Sequence, residues 1–330
     1  MTNANTGAGD DEIVFNLTYP ATITLTSGEI WIQNNGKLKI TGPDASQLAL
    51  SGNNASRIFV VNTNANVDIS GVTIRNGKMT GDGGGIYNRG TITIGNCTFS
   101  NNTAVARGGI LLNNGTATLA NCVFSNNTAA SSGGCIFSWG TITISNCVFS
   151  NNTASGWGGC IYTKGGITIS SCTFSGSSAS WGGVLEHDSV QVATVSNSTF
   201  SSNTSNHGGV FYIRGAATIS DCAFTGNTSY DGGAIGVSPA STIVTFSNCT
   251  ISGNTATNHC GGFLNLGPTT TISNCTIANN TAAYNGGGLY NDGSYTCNLT
   301  ISNCTIFGNT ATNGHGGGIY NTSNAFIVSS

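Results

Sequence analysis

The feature that most constrains this chain is a phrase that recurs about every 25 residues from Thr91 onward. Each copy reads as a strand of the type TITISNC, a second stretch of the type TFSNNTA, and then a glycine pair. The cysteine of the phrase gives an anchor position, and consecutive anchors are 24 to 29 residues apart. The anchors are Cys97, Cys122, Cys147, Cys172, Ser198, Cys222, Cys249, Cys275 and Cys304. A period of this length is typical of solenoids, in which each repeat stacks on the next.

Aligning the repeats shows which positions face the core. A position that is apolar in every repeat is one from which water is excluded. The residue three before the anchor is such a position: Ile94, Leu119, Ile144, Ile169, Val195, Ile219, Phe246, Ile272 and Ile301. The residue two after the anchor is another: Phe99, Phe124, Phe149, Phe174, Phe200, Phe224, Ile251, Ile277 and Ile306. Thr stands four before the anchor in all nine repeats, and strand alternation points it outward.

Asparagine and glycine mark the corners between strands. Asn102 and its equivalents, five residues after the anchor, predict a stacked amide ladder, because identical side chains in register can bond to one another. Asn96 and its equivalents suit a second corner, since Asn tolerates left-handed backbone. A third strand follows the glycine pairs, with an inward column predicted at Ile86, Leu111, Ile136, Ile161, Leu185, Phe211, Ile235, Leu264, Leu289 and Ile319.

These patterns predict an all-β fold, a single-stranded right-handed parallel β-helix. We expect about 12 coils of roughly 25 residues, each with three short strands. Residues 1–75 are predicted to form divergent N-terminal coils, with strands within 23–32 and 38–50, and residues 76–330 the regular repeats. The whole is expected to be one continuous solenoid. Its last residues stop partway through a coil, so we expect a fragment or an uncapped C-terminal end.

The composition removes several classes of function. The chain holds 9 basic and 12 acidic residues among 330, with a net charge of -3, so it lacks the dense cationic face that nucleic acids or anionic membranes require. No apolar run approaches the roughly 20 residues that span a bilayer. The first residues lack the features of a secretory signal, and we expect any such signal to lie outside this sequence.

The phrases GGGIYN, GTITI and NCTFSNNTA resemble the β-helical repeats of large bacterial secreted and surface proteins. These include the passengers of polymorphic outer-membrane proteins and the family named for an N-terminal CSLREA motif. Residues 3–15, NANTGAGDDEIVF, are similar to the stretch that follows that motif, although the motif itself is absent. The resemblance implies a β-helix in an extracellular or cell-surface setting. It brings no catalytic residue with it.

The 12 cysteines are the first candidates for chemistry. No CxxC pair or close Cys/His cluster occurs, which argues against zinc and thioredoxin-like sites, and we predict no metal and no cofactor. The alternation around the anchor predicts a stack of buried free thiols. A disulfide is the alternative, because stacked coils bring neighbouring positions within bridging range. Cys135 and Cys160 are the best-aligned pair for one.

Glu186, His187 and Asp188 form the densest group of titratable residues, in the repeat where Ser198 replaces the anchor cysteine. We interpret this group as an exposed turn. The alternative is a carbohydrate-active enzyme of the lyase or glycosidase type, since such enzymes use clustered carboxylates. Lys164 and Arg214 are the only cations nearby, and the sequence does not place them as a lyase would require.

Aromatic residues form a candidate ligand-binding strip. The residue before the glycine pair is Trp157, Trp181 and His207 in consecutive coils, and a second column holds Tyr162, Glu186 and Tyr212. Exposed rings repeated along a solenoid would offer a platform for sugar rings. A ladder of rings that stabilises the coil by stacking on itself is the alternative, and the sequence favours it.

The sequence therefore predicts a non-enzymatic extracellular scaffold or adhesin-like protein. Its expected partners are surface glycans or further copies of itself, stacked end to end into fibres. A carbohydrate-binding or carbohydrate-active β-helix is the alternative. The Thr-x-Thr pairs of the first strand suggest a minor alternative, ice binding, but the array is broken in the middle coils by residues such as Val192 and Ile243.

Overall fold

The computed structural model describes residues 9–33, 36–294, 297–323 and 325–329. Within them the chain winds into an all-β, right-handed parallel solenoid of about 12 coils, confirming the predicted fold. Sheets A, B and C run along its length, and each strand pairs with its equivalent one coil away. Residues 3–8 of the CSLREA-like stretch lie outside the described residues, and the strand Asp11–Val14 follows them.

Sheet A contains Asp11–Val14, Lys37–Thr41, Asn66–Ser70, Thr91–Gly95, Thr116–Ala120, Thr141–Ser145, Ile167–Ser170, Ala193–Ser196, Ala217–Ser220, Val244–Ser247, Thr269–Ser273, Asn298–Ser302 and Ala325–Ser329. Sheet B contains Ala21–Thr24, Leu48–Ser51, Thr73–Arg75, Thr98–Ser100, Val123–Ser125, Val148–Ser150, Thr173–Ser175, Thr199–Ser201, Ala223–Thr225, Thr250–Ser252, Thr276–Ala278 and Thr305–Phe307. Sheet C contains Ile30–Ile32, Phe59–Val61, Ile86–Asn88, Leu111–Asn113, Ile136–Ser138, Ile161–Thr163, Leu185–His187, Phe211–Ile213, Ile235–Val237, Phe263–Asn265, Leu289–Asn291 and Ile319–Asn321.

Many coils add a fourth, shorter strand between sheets B and C, beyond the three that the sequence predicts. In most of these coils it is the Thr-Ala that follows the Asn corner, extended for two residues before the glycine turn, with alanines such as Ala104 and Ala129 buried; in two coils the strand is four residues long. These strands form two separate ladders. One contains Lys78–Met79, Thr103–Ala104, Thr128–Ala129 and Thr153–Ala154; the other contains Thr204–His207, Thr228–Asp231, Thr255–Ala256, Thr281–Ala282 and Thr310–Ala311.

The core lies along the solenoid axis and consists of the predicted inward columns. The phenylalanines of sheet B stack face to face, with ring centroids 4.9 Å apart for Phe99 and Phe124 and 4.4 Å for Phe124 and Phe149. Phe149 is fully buried. Leu264 is an exception to the predicted third column: the register pairs Ile235 with Phe263, which leaves Leu264 facing outward. The cause is that Cys260 takes the left-handed conformation (φ 62°) that glycine adopts in other coils, so the turn begins one residue earlier than the glycine pair indicates.

The predicted asparagine ladder is present, and its members are fully buried from Asn102 to Asn280, whereas Asn309 is partly buried. Asn127 shows its chemistry: its Oδ1 accepts hydrogen bonds from the backbone N–H (3.0 Å) and the side-chain Nδ2 (3.1 Å) of Asn102. Its own Nδ2 donates to the carbonyl of Phe99 (3.2 Å) and to Oδ1 of Asn152 (3.0 Å). At the second corner, Asn96 and its equivalents adopt φ near +50°, as expected of left-handed Asn.

The anchor cysteines form a column of free thiols that face the core. Each S–H donates to the carbonyl two residues earlier, as Cys122 does to Ala120 at 3.1 Å. Cys135 and Cys160, the pair best aligned for a disulfide, are also free and fully buried. The thiol stack is therefore the correct interpretation of the cysteine spacing.

One coil, residues 173–200, departs from the pattern in three ways. Ser177 replaces the ladder asparagine, so the chain of side-chain amides stops at Asn152 and begins again at Asn203. Ser198 replaces the anchor cysteine. Ser178 makes only isolated bridges, and the two ladders of short strands are separated at this coil. The irregular coil also carries Glu186.

Candidate functional site

The outer face of sheet C forms a groove that runs along the solenoid. Its floor is the middle residue of each sheet C strand, whose side chain points away from the core. In chain order the floor residues are Trp31, Val60, Tyr87, Leu112, Phe137, Tyr162, Glu186, Tyr212, Gly236, Leu264, Tyr290 and Tyr320. Although they face outward, Leu112, Phe137 and Tyr162 are buried together in a cluster of their own. Side chains on both sides therefore close over this part of the floor.

Two columns form the walls of the groove. The first wall is the residue before the glycine turn and includes Arg107, Ser132, Trp157, Trp181, His207, Asp231 and His259. The second wall lies two residues after the floor and includes Arg89, Asn114, Trp139, Lys164, Asp188, Arg214, Ser238, Leu266 and Asp292. Turn geometry fixes the first wall, and hydrogen bonds between successive coils align the second.

The tryptophans and more than half of the basic residues of this chain lie on the groove. All four tryptophans lie there: Trp31 in the floor, and Trp139, Trp157 and Trp181 in the walls. Five of the nine lysines and arginines lie over or beside the floor, namely Arg57, Arg89, Arg107, Lys164 and Arg214. The other faces are covered mainly by Thr, Ser and Asn. Lys37 and Lys39 on sheet A, Arg75 on sheet B and Lys78 lie elsewhere, so the groove holds all of the tryptophans but only part of the charge.

The middle of the groove is filled by its own side chains. Phe137 stacks on Tyr162 with ring centroids 5.0 Å apart, and the guanidinium of Arg107 lies 4.8 Å from the Phe137 ring centroid. The ring of Trp157 is tilted against that of Tyr162, with centroids 6.2 Å apart. As a result Tyr162 is only 6% exposed, whereas Trp157 is 42% exposed. Here the rings stack on one another as the ladder interpretation expects, and Tyr162 is not the exposed ring that a sugar platform requires.

Glu186 is not part of an exposed turn, and that expectation was wrong. It lies in the strand Leu185–His187, between Tyr162 and Tyr212 in the floor, and it is 0% exposed. Neither carboxyl oxygen accepts a hydrogen bond from the described residues; Nη1 of Arg214 lies 3.5 Å from Oε1. Burial raises the pKa of Glu186 to about 8, and Arg214 only partly offsets this. Burial therefore favours the protonated form of Glu186.

The carboxylate of Asp188 contacts the polar groups of Tyr162, Lys164 and Arg214. Its Oδ2 accepts a hydrogen bond from the hydroxyl of Tyr162 at 2.9 Å and lies 3.6 Å from Nζ of Lys164, and its Oδ1 lies 3.8 Å from Nε of Arg214. The sequence did not anticipate this, because stacking places residues 164, 188 and 214 on consecutive coils. His187 belongs elsewhere: it points to the opposite side of the strand, where Nε2 bonds to the carbonyl of Gln191 at 2.7 Å. The three consecutive residues therefore do not converge.

A cavity of about 310 Å³ opens further along the groove, where the floor residue is Gly236. Trp181 stacks over His207 with centroids 3.9 Å apart and meets the edge of Tyr212 at 4.7 Å, forming one end of the cavity. Tyr290 and Leu264 lie at the other end. Of the predicted strip, Trp181, His207 and Tyr212 thus line an open cavity, whereas Tyr162 and Glu186 are buried beside it.

Comparison with known proteins identifies the family. Residues 22–174 and 160–330 both match the family described as right handed beta helix region. The chain belongs to the right-handed β-helix family. This β-helix has no match among the curated proteins. Among solved structures it is similar to the mannuronan C-5 epimerase AlgE6 A-module of Azotobacter vinelandii, with 13% identity, a TM-score of 0.39, and coverage of 98% of this chain and 91% of that one. A likeness of this degree carries no argument about activity.

The cavity of the β-helix could not be predicted from the sequence, because it depends on strand register. Gly236 lies among 48 glycines, most of which serve turns, and only the strand register shows that it replaces a floor side chain. Asp231 precedes a glycine pair just as His207 does, and this signal could have extended the strip to it, whereas Cys260 separates His259 from its glycine pair and hides its place in the wall.

The described residues contain no helix of the length and hydrophobicity that crossing a membrane would take. They also contain no group of three His, Cys, Asp or Glu side chains arranged to hold a metal ion.

Proposed function

We propose that this β-helix is an extracellular, adhesin-like scaffold that binds glycans along the groove on sheet C. The observation that supports it most is the concentration of all four tryptophans and most of the cations on this one face. Sugars present apolar C–H faces that stack on aromatic rings and hydroxyls that bond to charged groups, so a groove of this composition matches their chemistry. An elongated face also suits an elongated ligand.

The proposed cell-surface location rests on the resemblance of the repeats to CSLREA-type and polymorphic outer-membrane protein repeats. End-to-end association of copies through open strand edges stays a prediction, and light scattering at high concentration tests it: a monodisperse monomer would contradict it. Ice binding by the threonine column also stays a prediction. Neither is needed for the groove to bind a glycan.

A glycan array tests the main proposal. The variants are Trp157→Ala/Trp181→Ala, which removes two wall rings, and Phe307→Ala as matched control, because Phe307 is an exposed ring (54%) on sheet B. We expect the wild type and the control to bind a common set of glycans and the double variant to lose it while keeping its melting temperature within a few degrees. Equal binding by all three, or no binding by the wild type, would contradict the proposal.

A second candidate function, acid–base cleavage of a bound glycan, is favoured by the Glu186 and Asp188 pair. Enzymes that cleave glycosidic bonds use two carboxyl groups, one protonated and one ionised at working pH. Burial raises the pKa of Glu186 to about 8, while Asp188 is held between Lys164 and Arg214. The test is mass spectrometry of each glycan that binds, after incubation with wild type or Glu186→Gln. Products in the wild type alone would support cleavage; intact glycan in both leaves a binding protein.

A further inference from the structure

We infer that the cavity over Gly236 is a subsite for one sugar ring that carries no negative charge. The inference rests on the proposed function and makes it specific, because it names the place in the groove and the class of sugar. At about 310 Å³ the cavity is at the small end of ligand pockets, which run from about 300 to 1,000 Å³. It suits a single ring of a longer chain that continues along the groove.

The cavity exists because one floor side chain is missing. Among the twelve described floor positions, Gly236 is the only glycine, and its neighbours Tyr212 and Leu264 carry large side chains. Gly236 lies in the strand Ile235–Val237 and is not among the glycines with positive φ, so its backbone conformation does not require glycine. The missing side chain leaves a space that the rings of Trp181, Tyr212 and Tyr290 line.

Polar groups of fixed orientation border the same space. Oδ1 of Asp231 accepts hydrogen bonds from Nδ2 of Asn258 and from the backbone N–H of His259, both at 3.0 Å, which holds the carboxylate in place. Its Oδ2 lies 3.8 Å from Nδ1 of His207. Nδ1 of His259 accepts from the backbone N–H of Asn285 at 3.3 Å, so the neutral ring carries its proton on Nε2. The carboxylate of Asp231 is thus an oriented acceptor and Nε2–H of His259 an oriented donor, and the hydroxyl groups of a sugar can bond to both kinds of group.

The charge of the lining selects against anionic sugars. Asp231 and Asp292 both line the cavity, and no lysine or arginine is among its described lining residues. Arg214, on the neighbouring coil of the groove, has its guanidinium 3.5 Å from Glu186 and 3.8 Å from Asp188 and is not among the lining residues. A carboxylate or sulfate on the ligand would meet like charges in a partly enclosed space, where repulsion is poorly screened. Hexoses and N-acetylhexosamines meet no such penalty.

The decisive variant is Gly236→Leu, which restores a floor side chain of the kind found at Leu264 and Leu112. A Cβ at position 236 would lie 3.1 Å from the ring edge of Tyr212, so that ring must shift by only a few tenths of an ångström. The matched control is Gly95→Leu on the outer side of sheet A, where a Cβ meets nothing closer than 3.9 Å. Both variants, the wild type and Trp157→Ala/Trp181→Ala are compared on an array that carries neutral, uronate and sulfated glycans, with melting temperatures measured in parallel.

We expect Gly236→Leu to lower affinity for neutral glycans at least tenfold while its melting temperature stays equal or rises, and Gly95→Leu to bind as the wild type does. If Gly236→Leu keeps the glycan binding that the tryptophan variant loses, the subsite is overturned while the proposed function stands. Binding confined to uronate or sulfated glycans would overturn the charge selection. Absence of any binding by the wild type would overturn both proposals together.

Discussion

Replacing Asn127 by alanine removes one rung of the buried amide ladder, and the structure sets the expected cost. The side chain takes part in four hydrogen bonds, two accepted from Asn102 and one donated to each of Phe99 and Asn152. At roughly 1 kcal/mol for each net hydrogen bond, Asn127→Ala should destabilise the protein by about 4 kcal/mol. The backbone at position 127 is not left-handed, so conformational strain adds nothing to this figure.

Equilibrium urea unfolding measures the loss, with Asn126→Gly as the matched control. Asn126 is the adjacent residue, is exposed, and adopts φ 55°, which glycine accepts without strain, so its replacement should change stability by less than about 0.5 kcal/mol. Asn127→Ser imitates the natural substitution at Ser177 and should cost less than alanine. Because a solenoid need not unfold in one step, hydrogen exchange provides a local measurement. The amide of Asn102 loses its acceptor in Asn127→Ala and should exchange faster.

The reasoning is refuted if Asn127→Ala unfolds at the same urea concentration as Asn126→Gly while the Asn102 amide keeps its protection. That result would mean that stacking of the Ile and Phe columns holds the coils in register without help from the amides. A loss confined to hydrogen exchange, with an unchanged urea midpoint, would instead show that the corner opens locally ahead of the whole.

Phe149→Ala should lower the free energy of unfolding by about 3–5 kcal/mol, because it opens a cavity in the stacked column. Phe307→Ala, at an exposed ring, should lower it little, and thermal melts of the two variants test the difference. The raised pKa of Glu186 means that the folded state holds a proton that the unfolded chain releases above its ordinary pKa of 4.5. Stability should therefore fall as pH rises from 4.5 to about 8, and Glu186→Gln should abolish that part of the urea-midpoint profile; an unchanged profile would contradict the assignment. Of the 12 thiols only that of Cys304 is partly exposed, so a thiol reagent should label at most one cysteine in the native protein and all 12 in denaturant. Rapid labelling of several native thiols would argue against the buried column.

The fold could be predicted from sequence because each structural rule is repeated some nine times. A single Phe or Asn says little, but Phe99, Phe124 and Phe149 at constant spacing define a direction relative to the core, and the interior confirms it. The same repetition identified the thiol column and the ladder asparagines. Prediction failed where repetition fails, as at Cys260, which takes a glycine conformation and shifts the strand register by one residue.

The site was predicted less completely because its chemistry lies between coils. Lys164, Asp188 and Arg214 are 24 to 26 residues apart in the chain, and only the stacking of coils brings them together. The burial of Glu186 likewise depends on how its neighbours on adjacent coils close over it. Aromatic residues one step before the glycine turns were visible in the sequence, but the empty position at Gly236 depends on strand register.

The irregular coil of residues 173–200 has a mechanical consequence. In a linear array each coil holds only its two neighbours, so a chain under tension or in denaturant parts first at its weakest junction. Here Ser177 and Ser198 replace the ladder amide and the anchor thiol, and the short strands are interrupted, while sheets A, B and C continue through the coil; we expect the first opening at this coil. Glu186 lies at that junction. Opening of this coil would expose the carboxyl group to water and remove the burial that raises its pKa.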